Sequence, residues 1–348
     1  MKRIAILYSN LSGYTAACQR AVKEAANAEL LVIHWPVAKE APYDDHIFGH
    51  IDYRYSRDQY TAHGIVKLLS DFSPDVVIMS GWMDNAYLQA ARYMRRKGVP
   101  VVAGSDTQWN GSLRQRSAAL TARWYLHPAI DILWVTGERQ RYLAGQLGYT
   151  TKKCWTGFYT CDWEKFNENI GIEVPREKAF LYVGRYIDRK GMKTLLSAYQ
   201  SYRSEVSDPW KLWTVGTGAW SKQIQDIKGV QDWGFVQPDR LPQIMRTAGA
   251  FILPSLYEPW GVVLHEAATA GLPLLASNAC GAAVHLLRDQ YNGYVHESGD
   301  DKHLTESMVR LAGLSADQLA QFSLGSHSLS KQYTPHIWAE TLISNLWK

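Results

Sequence analysis

Short runs of Val, Ile, Leu and Trp alternate along the chain with longer stretches whose apolar residues recur at helical spacing, the pattern of β-α-β units around a parallel sheet. In the first half the runs 3–8, 30–34, 76–80, 101–104 and 132–136 predict strands. In the second half, 180–184, 212–216, 234–236, 250–254 and 274–276 do the same. Between the halves, 155–177 loses periodicity and collects Gly, Asn, Asp and Pro, residues that favour connectors, so the hinge is expected there. The last segment, 334–348, begins at Pro335 and reads as a helix, with Ile337, Trp338, Thr341, Leu342 and Leu346 at helical spacing. Pattern alone assigns that helix to neither half. Two long, aromatic and basic segments of the first half, 43–64 and 108–127, are candidate binding loops or surface helices. No repeat of solenoid period occurs.

A length of 348 residues suits two domains, each large enough to bury its own core. With 46% hydrophobic and 20% charged residues the chain is globular, and no low-complexity tract suggests a disordered arm. The four cysteines, Cys18, Cys154, Cys161 and Cys280, form no C-x-x-C pair, so neither a disulfide framework nor a structural metal is expected and a reducing cytosol is. The opening MKRIAILYSN reads as a first strand and is too short in apolar residues for a signal peptide. No apolar run approaches the roughly 20 residues needed to cross a bilayer, so membrane contact is expected to be peripheral. Charge refines that expectation. Residues 1–160 carry 19 Lys+Arg against 13 Asp+Glu, or +6, and residues 161–348 carry 18 against 20, or −2. A basic first half fits an anionic membrane or acceptor, although an ordinary solvated surface accounts for the same surplus.

Two stretches carry candidate chemistry. In LPSLYEPWGVVLHEAATAGLPLLAS, 253–277, a strand ends in a turn and Pro259-Trp260-Gly261 opens a helix. Glu258 and Glu266 are thereby placed at the start and in the first turns of one element. Gly261 lets a ligand approach the backbone, and the helix N-terminus offers unpaired N–H groups and a positive dipole end to phosphate or a sugar hydroxyl. His265, between the two carboxylates, is expected to be a packing or surface group pointing away from Glu266. In FLYVGRYIDRKGMKTLLSAY, 180–199, a strand ends at Gly184 and Arg185, Lys190 and Gly191 precede a helix. A guanidinium fork and an ammonium point charge could neutralise a diphosphate without a metal, and the chain contains no Asp-x-Asp. Gly191 is followed by Met192, so this is not a P-loop. Each residue has a plainer reading: the glutamates as helix-dipole partners, the basic pair as a surface salt-bridge network, Asp106 as an N-cap, Gly13 as a turn glycine.

The ordered strings VGRYIDRKG (183–191), VGTG (215–218), WGFVQPDRLPQIM (233–245), EPWGVVLHE (258–266) and QYNGYV (290–295) resemble glycosyltransferase family four, and TGFYTCDWEKF (156–166) is similar to its interdomain connector. The resemblance covers nearly all of the second half. In the first half it is limited to the strand pattern and the Ser12-Gly13 turn. It implies the α/β GT-B fold, two Rossmann-like domains facing across a cleft: 1–158, with 335–348 crossing back to it, for the acceptor, and 159–334 for a nucleotide-sugar donor. It implies that Glu266 accepts hydrogen bonds from the ribose and that Glu258 holds donor-sugar hydroxyls. Arg185 and Lys190 would grip the diphosphate, while Gly261, Val262 and Val263 offer backbone N–H groups. The backbone near Phe235 and Val236 would meet the base, and Gly13 would let the first domain approach the phosphate. Where many members carry a His after the fourth strand, this chain has GSDTQW, with Asp106 closest.

The expected activity is retaining, metal-independent glycosyl transfer from a nucleoside-diphosphate sugar to a carbohydrate or lipid-linked acceptor hydroxyl, as in bacterial-type polysaccharide, lipopolysaccharide or glycolipid synthesis. No cofactor, metal or nucleic-acid partner is expected. The expected location is cytoplasmic, with peripheral contact at the inner face of an anionic membrane. The alternatives are a GT-B phosphorylase or epimerase, and a catalytically silent sugar-nucleotide-binding protein.

Overall fold

The computed structural model describes residues 1–36, 45–167 and 176–347. The head of the 43–64 segment, the stretch 168–175 of the expected break and Lys348 lie outside the described residues. The chain divides into two compact units, Met1–Thr160 with Pro335–Lys348, and Cys161–Thr334.

In the first unit seven parallel strands, β1 Lys2–Tyr8, β2 Ala28–His34, β3 Tyr53–Ser56, β4 Val76–Met79, β5 Val101–Ser105, β6 Ile132–Val135 and β7 Cys154–Thr156, lie in the order β3-β2-β1-β4-β5-β6-β7. Successive side chains of a strand point to opposite faces. Ala5, Leu7, Ile33, Val77 and Met79 therefore enter one buried layer, and Ile4, Ile6, Val32, Val76 and Ile78 the other. Both faces are covered, which is why these strands read as continuous apolar runs instead of alternating ones. The helix Pro335–Leu346 belongs to this unit: Trp338 stacks on Trp134 of β6, ring centroids 4.7 Å apart at 19°, and its indole N–H donates to Phe158 O at 3.0 Å.

The second unit holds six parallel strands, β8 Ala179–Val183, β9 Lys211–Val215, β10 Val230–Asp232, β11 Ala250–Leu253, β12 Leu274–Ser277 and β13 Gly293–His296, in the order β10-β9-β8-β11-β12-β13. One expectation fails here: the strand falls at Val230–Asp232 and not at 234–236. Asp232 is its last residue, and its carboxylate accepts from Tyr186 Oη (2.7 Å), Thr214 Oγ1 (3.2 Å) and Gly234 N (3.0 Å), just before the chain turns at Gly234 with φ +61°. The strands β3, β7 and β13 were not foreseen. All three lie at sheet edges and are short, with little apolar sequence to mark them.

In each sheet the strand order reverses beside the first strand, between β1 and β4 and between β8 and β11. Such reversals open a crevice beyond the carboxyl ends of the strands, where α/β sheets bind ligands. Because all strands of a sheet are parallel, every loop leaving a C-terminal end emerges along the same edge.

Candidate functional site

Along that edge of the second unit lie the loops after β8, β9, β10, β11 and β12. The loop after β8 runs through Gly184 and Arg185 into a 3-10 turn, Asp188–Lys190, and then into helix Met192–Glu205. At the junction Gly191 has φ +74°, and a Cβ there would stand 2.0 Å from Pro254 O. Only glycine permits this approach, and the approach carries Lys190 across to the loop after β11. There the Lys190 ammonium forms an ion pair with the carboxylate of Glu258. Both side chains are largely buried, at 14% and 11% exposure, so each charge leans on the other. Ser255 Oγ donates to the same carboxylate oxygen at 3.2 Å. The Glu258 backbone is fixed on both sides, its N–H donating to Ala279 O (3.3 Å) and its C=O accepting from Gly281 N (3.0 Å).

Arg185 lies on the other flank of the switch point. It is exposed, and its guanidinium makes no hydrogen bond or ion pair among the described residues. Its backbone is held from beneath by Tyr182, whose hydroxyl donates to Arg185 O at 2.9 Å. Burial pushes the Tyr182 phenol well up, with Glu258 adding to the shift and Arg185 opposing it. That phenol stays a neutral donor.

After the Glu258 turn, Gly261 at φ +98° opens helix Val262–Thr269 with no side chain capping its N-terminus. A side chain at Gly261 would press on Glu258 Cγ and Cys280 Sγ, each 3.1 Å from an added Cβ, so the backbone runs directly beside the ion pair. The first N–H groups of a helix have no intrahelical partner, and Val262 and Val263 are partly exposed residues. One turn on, Glu266 makes no ion pair or side-chain hydrogen bond among the described residues. Burial, reinforced by Asp162 and opposed by Lys165, pushes its carboxyl up to about 7. His265 is fully buried and accepts from Cys161 N at 3.0 Å through Nδ1, which places its proton on Nε2, donated to Ser330 O at 3.0 Å. Burial lowers its pKa to about 4. It is a neutral strut, not a reacting group.

Phe235 and Val236 follow the C-terminal end of β10, with Phe235 half-exposed and the neighbouring Trp233 edge-on to Trp213 at 5.8 Å. They share the edge with the Lys190–Glu258 pair and the open helix end. The remaining candidates, Gly13 and Asp106, belong to the first unit. Gly13 opens helix Gly13–Ala25 after β1; an added Cβ would meet nothing within 4 Å and its φ is not left-handed, so packing does not demand glycine. Asp106 follows β5, and its carbonyl accepts from Gln140 Nε2 at 3.1 Å. Its charge reaches Tyr8, whose buried phenol is raised further by Tyr14 and Cys18 while a hydrogen bond with Tyr159 opposes.

Sequence reasoning passed over Ser255, Tyr182 and this group of tyrosines. Ser255 and Tyr182 lie inside the 253–277 and 180–199 stretches, Tyr159 inside the connector string and Tyr14 next to Gly13, but none has a residue type or spacing that marks a role. Among the described residues, no three His, Cys, Asp or Glu side chains are grouped as metal ligands.

Residues 164–319, within the second unit, match the family model for group 1 glycosyl transferases. The chain is 30% identical over 149 residues to an uncharacterized glycosyltransferase of Methanocaldococcus jannaschii, covering 40% of this chain and 37% of that protein. It is 23% identical over 268 residues to the lipopolysaccharide 1,6-galactosyltransferase of Escherichia coli, covering 73% and 70%. In structure it is similar to the Anabaena protein HepE in complex with UDP and glucose, with a TM-score of 0.72 at 15% identity over 98% of this chain and 99% of that one.

Proposed function

We propose that this chain, whose residues 164–319 match the group 1 glycosyl transferase model and whose fold is GT-B, transfers a sugar from a nucleoside diphosphate to an acceptor hydroxyl with retention of anomeric configuration. The observation that carries this reading is the edge of the second sheet. There an uncapped helix N-terminus, an exposed Arg185 and the Lys190–Glu258 pair converge at the switch point, a cradle for an anion joined to a polar group.

In this reading the diphosphate lies against the N–H groups of Val262 and Val263 and is flanked by Arg185 and Lys190. Glu266 accepts from the ribose, the backbone of Phe235 and Val236 meets the base, and Glu258 accepts from donor-sugar hydroxyls while keeping Lys190 in place. As the bond from the anomeric carbon to the phosphate oxygen breaks, its electron pair leaves with the diphosphate. The cradle stabilises that developing charge before any reorganisation is needed. The acceptor oxygen then bonds to the anomeric carbon on the same face, and its proton passes to the departing phosphate oxygen. No metal and no separate strong base is required. The first unit takes the acceptor, with Asp106 and Gly13 as its candidate contributors. The resemblance to a lipopolysaccharide galactosyltransferase supports a lipid-linked or polysaccharide acceptor.

The test is a panel of nucleotide sugars, with and without a chelator, read as free nucleoside diphosphate. Slow chelator-insensitive hydrolysis of one donor, accelerated by an acceptor, is expected. Donor binding without release would leave a sugar-nucleotide-binding protein, and a requirement for added metal would overturn the cradle mechanism.

A further inference from the structure

Helix Leu113–Tyr125 of the first unit departs from the rule that a helix turns its apolar stripe toward the core. Its neighbour, Asn85–Arg96, buries Ala86, Tyr87, Leu88, Ala90, Ala91 and Met94, whereas Leu113–Tyr125 buries Ala122 alone. Its large apolar residues face solvent: Leu113 is 84% exposed, Leu120 76% and Trp124 73%. The spacings of seven and four residues place these three within an arc of about 40° at 3.6 residues per turn, and Ala122 lies on the opposite side. Arginines border the stripe on both sides, Arg116 and Arg123 on one and Arg114 on the other, all exposed. The helix LRQRSAALTARWY contains no acidic residue.

The basic border continues onto the neighbouring helix. Arg92 donates to Tyr125 O at 2.9 Å and lies 5.1 Å from the Tyr125 ring, tying the end of the stripe to the exposed Arg96 and Lys97. A helix that is apolar on the side facing water and ringed by cations matches an interface between hydrocarbon and anionic headgroups. It does not match its own copy, since a two-fold contact through the stripe would set arginines against arginines. No described helix is long and apolar enough to cross a membrane, so this face offers contact at the surface.

We propose that this face of the first unit docks on an anionic membrane. Leu113, Leu120 and Trp124 enter the boundary between headgroups and acyl chains, while Arg114, Arg116 and Arg123 pair with lipid phosphates. For its purpose the inference rests on the reading of a lipid-linked acceptor, and its test reads binding apart from turnover.

Flotation of the full chain with phosphatidylcholine vesicles, and with phosphatidylcholine mixed with phosphatidylglycerol, tests it. Binding to the mixed vesicles alone is expected, weakening as salt screens the arginines. Replacing Arg114, Arg116 and Arg123 by Gln should lower the partition coefficient on the order of a hundredfold, at about 1 kcal/mol per cation near the surface. Exchanging Leu113, Leu120 and Trp124 for Ser should also weaken binding to the mixed vesicles. These side chains are exposed, so both variants should keep the wild-type melting temperature and nucleoside diphosphate affinity. Equal recovery with both vesicle types, unchanged binding by the variants, or a concentration-dependent dimer lost on Trp124→Ser would overturn the proposal. Vesicle binding without nucleoside diphosphate release from any donor would sink the transfer reading alone.

Discussion

Replacing Lys190 by Met tests whether the ion pair at the sheet edge holds the site together. The two side chains are largely buried, so removing the ammonium takes the paired charge away from a carboxylate that also accepts from the hydroxyl of Ser255. Breaking a buried pair in this way costs about 3 to 5 kcal/mol, and the residual exposure places the expected value near the lower end, about 3 kcal/mol. Glu258→Gln should cost less, about 1 to 2 kcal/mol, because the amide oxygen still accepts from Lys190 and Ser255. In the double variant no charge is stranded, so the combined loss should fall short of the sum by about 2 kcal/mol. Since the chain comprises two units, a single melting curve is not a two-state measurement, and hydrogen exchange at the amides of β8 and β11 reads the local cost. About 3 kcal/mol corresponds to exchange on the order of a hundredfold faster in Lys190→Met, with partial recovery in the double variant. Strictly additive effects, or unchanged protection in Lys190→Met, would show that the pair is a surface contact and that the reasoning is wrong.

Titration of Glu266 should appear in stability. Its carboxyl is raised in the folded protein, so its contribution is fully present below the unfolded value near 4.5 and is lost as pH rises through about 7. Glu266→Gln should therefore melt with wild type near pH 4 and above it at pH 8, and identical curves at both pH values would contradict the burial argument. Trp338→Ala removes a ring stacked on Trp134 and should cost the first unit about 3 to 5 kcal/mol, seen as faster exchange in β6. Nucleoside diphosphate affinity, assigned to the second unit, should be unchanged, and its loss would refute that assignment.

What the sequence discloses follows from how each element is buried. Strands covered on both faces, such as β1, β4, β8 and β12, are unbroken apolar runs and stand out at once. The edge strands Tyr53–Ser56, Cys154–Thr156 and Gly293–His296 escape notice because neighbours on one side ask little of their side chains. β10 falls at Val230–Asp232, a segment with one apolar residue whose Asp232 is an acceptor for Tyr186, Thr214 and Gly234, so apolar pattern alone points past it to 234–236. Within the candidate site, residue types and spacing single out Lys190 and Glu258 separately, but their pairing across 68 positions depends on the approach of Gly191 to Pro254, which no local pattern encodes. The helix Leu113–Tyr125 shows the reverse problem. Its apolar stripe has the spacing of a core-facing helix, and only burial reveals that it points outward.

The account's central claim, that the C-terminal edge of the second sheet is a nucleotide-sugar site divided between ribose and sugar, is tested most directly by calorimetry on wild type, Glu266→Gln and Glu258→Gln. Each is titrated with a nucleoside diphosphate and with the intact nucleotide sugar. Losing a hydrogen bond to a charged group costs about 1.5 to 3 kcal/mol, a tenfold to hundredfold effect. Glu266→Gln should weaken both ligands by that factor, because both carry the ribose. Glu258→Gln should weaken only the nucleotide sugar, because the diphosphate lacks the group that Glu258 holds. Equal weakening of the diphosphate by both substitutions, or no diphosphate binding by the wild-type protein, would contradict the account.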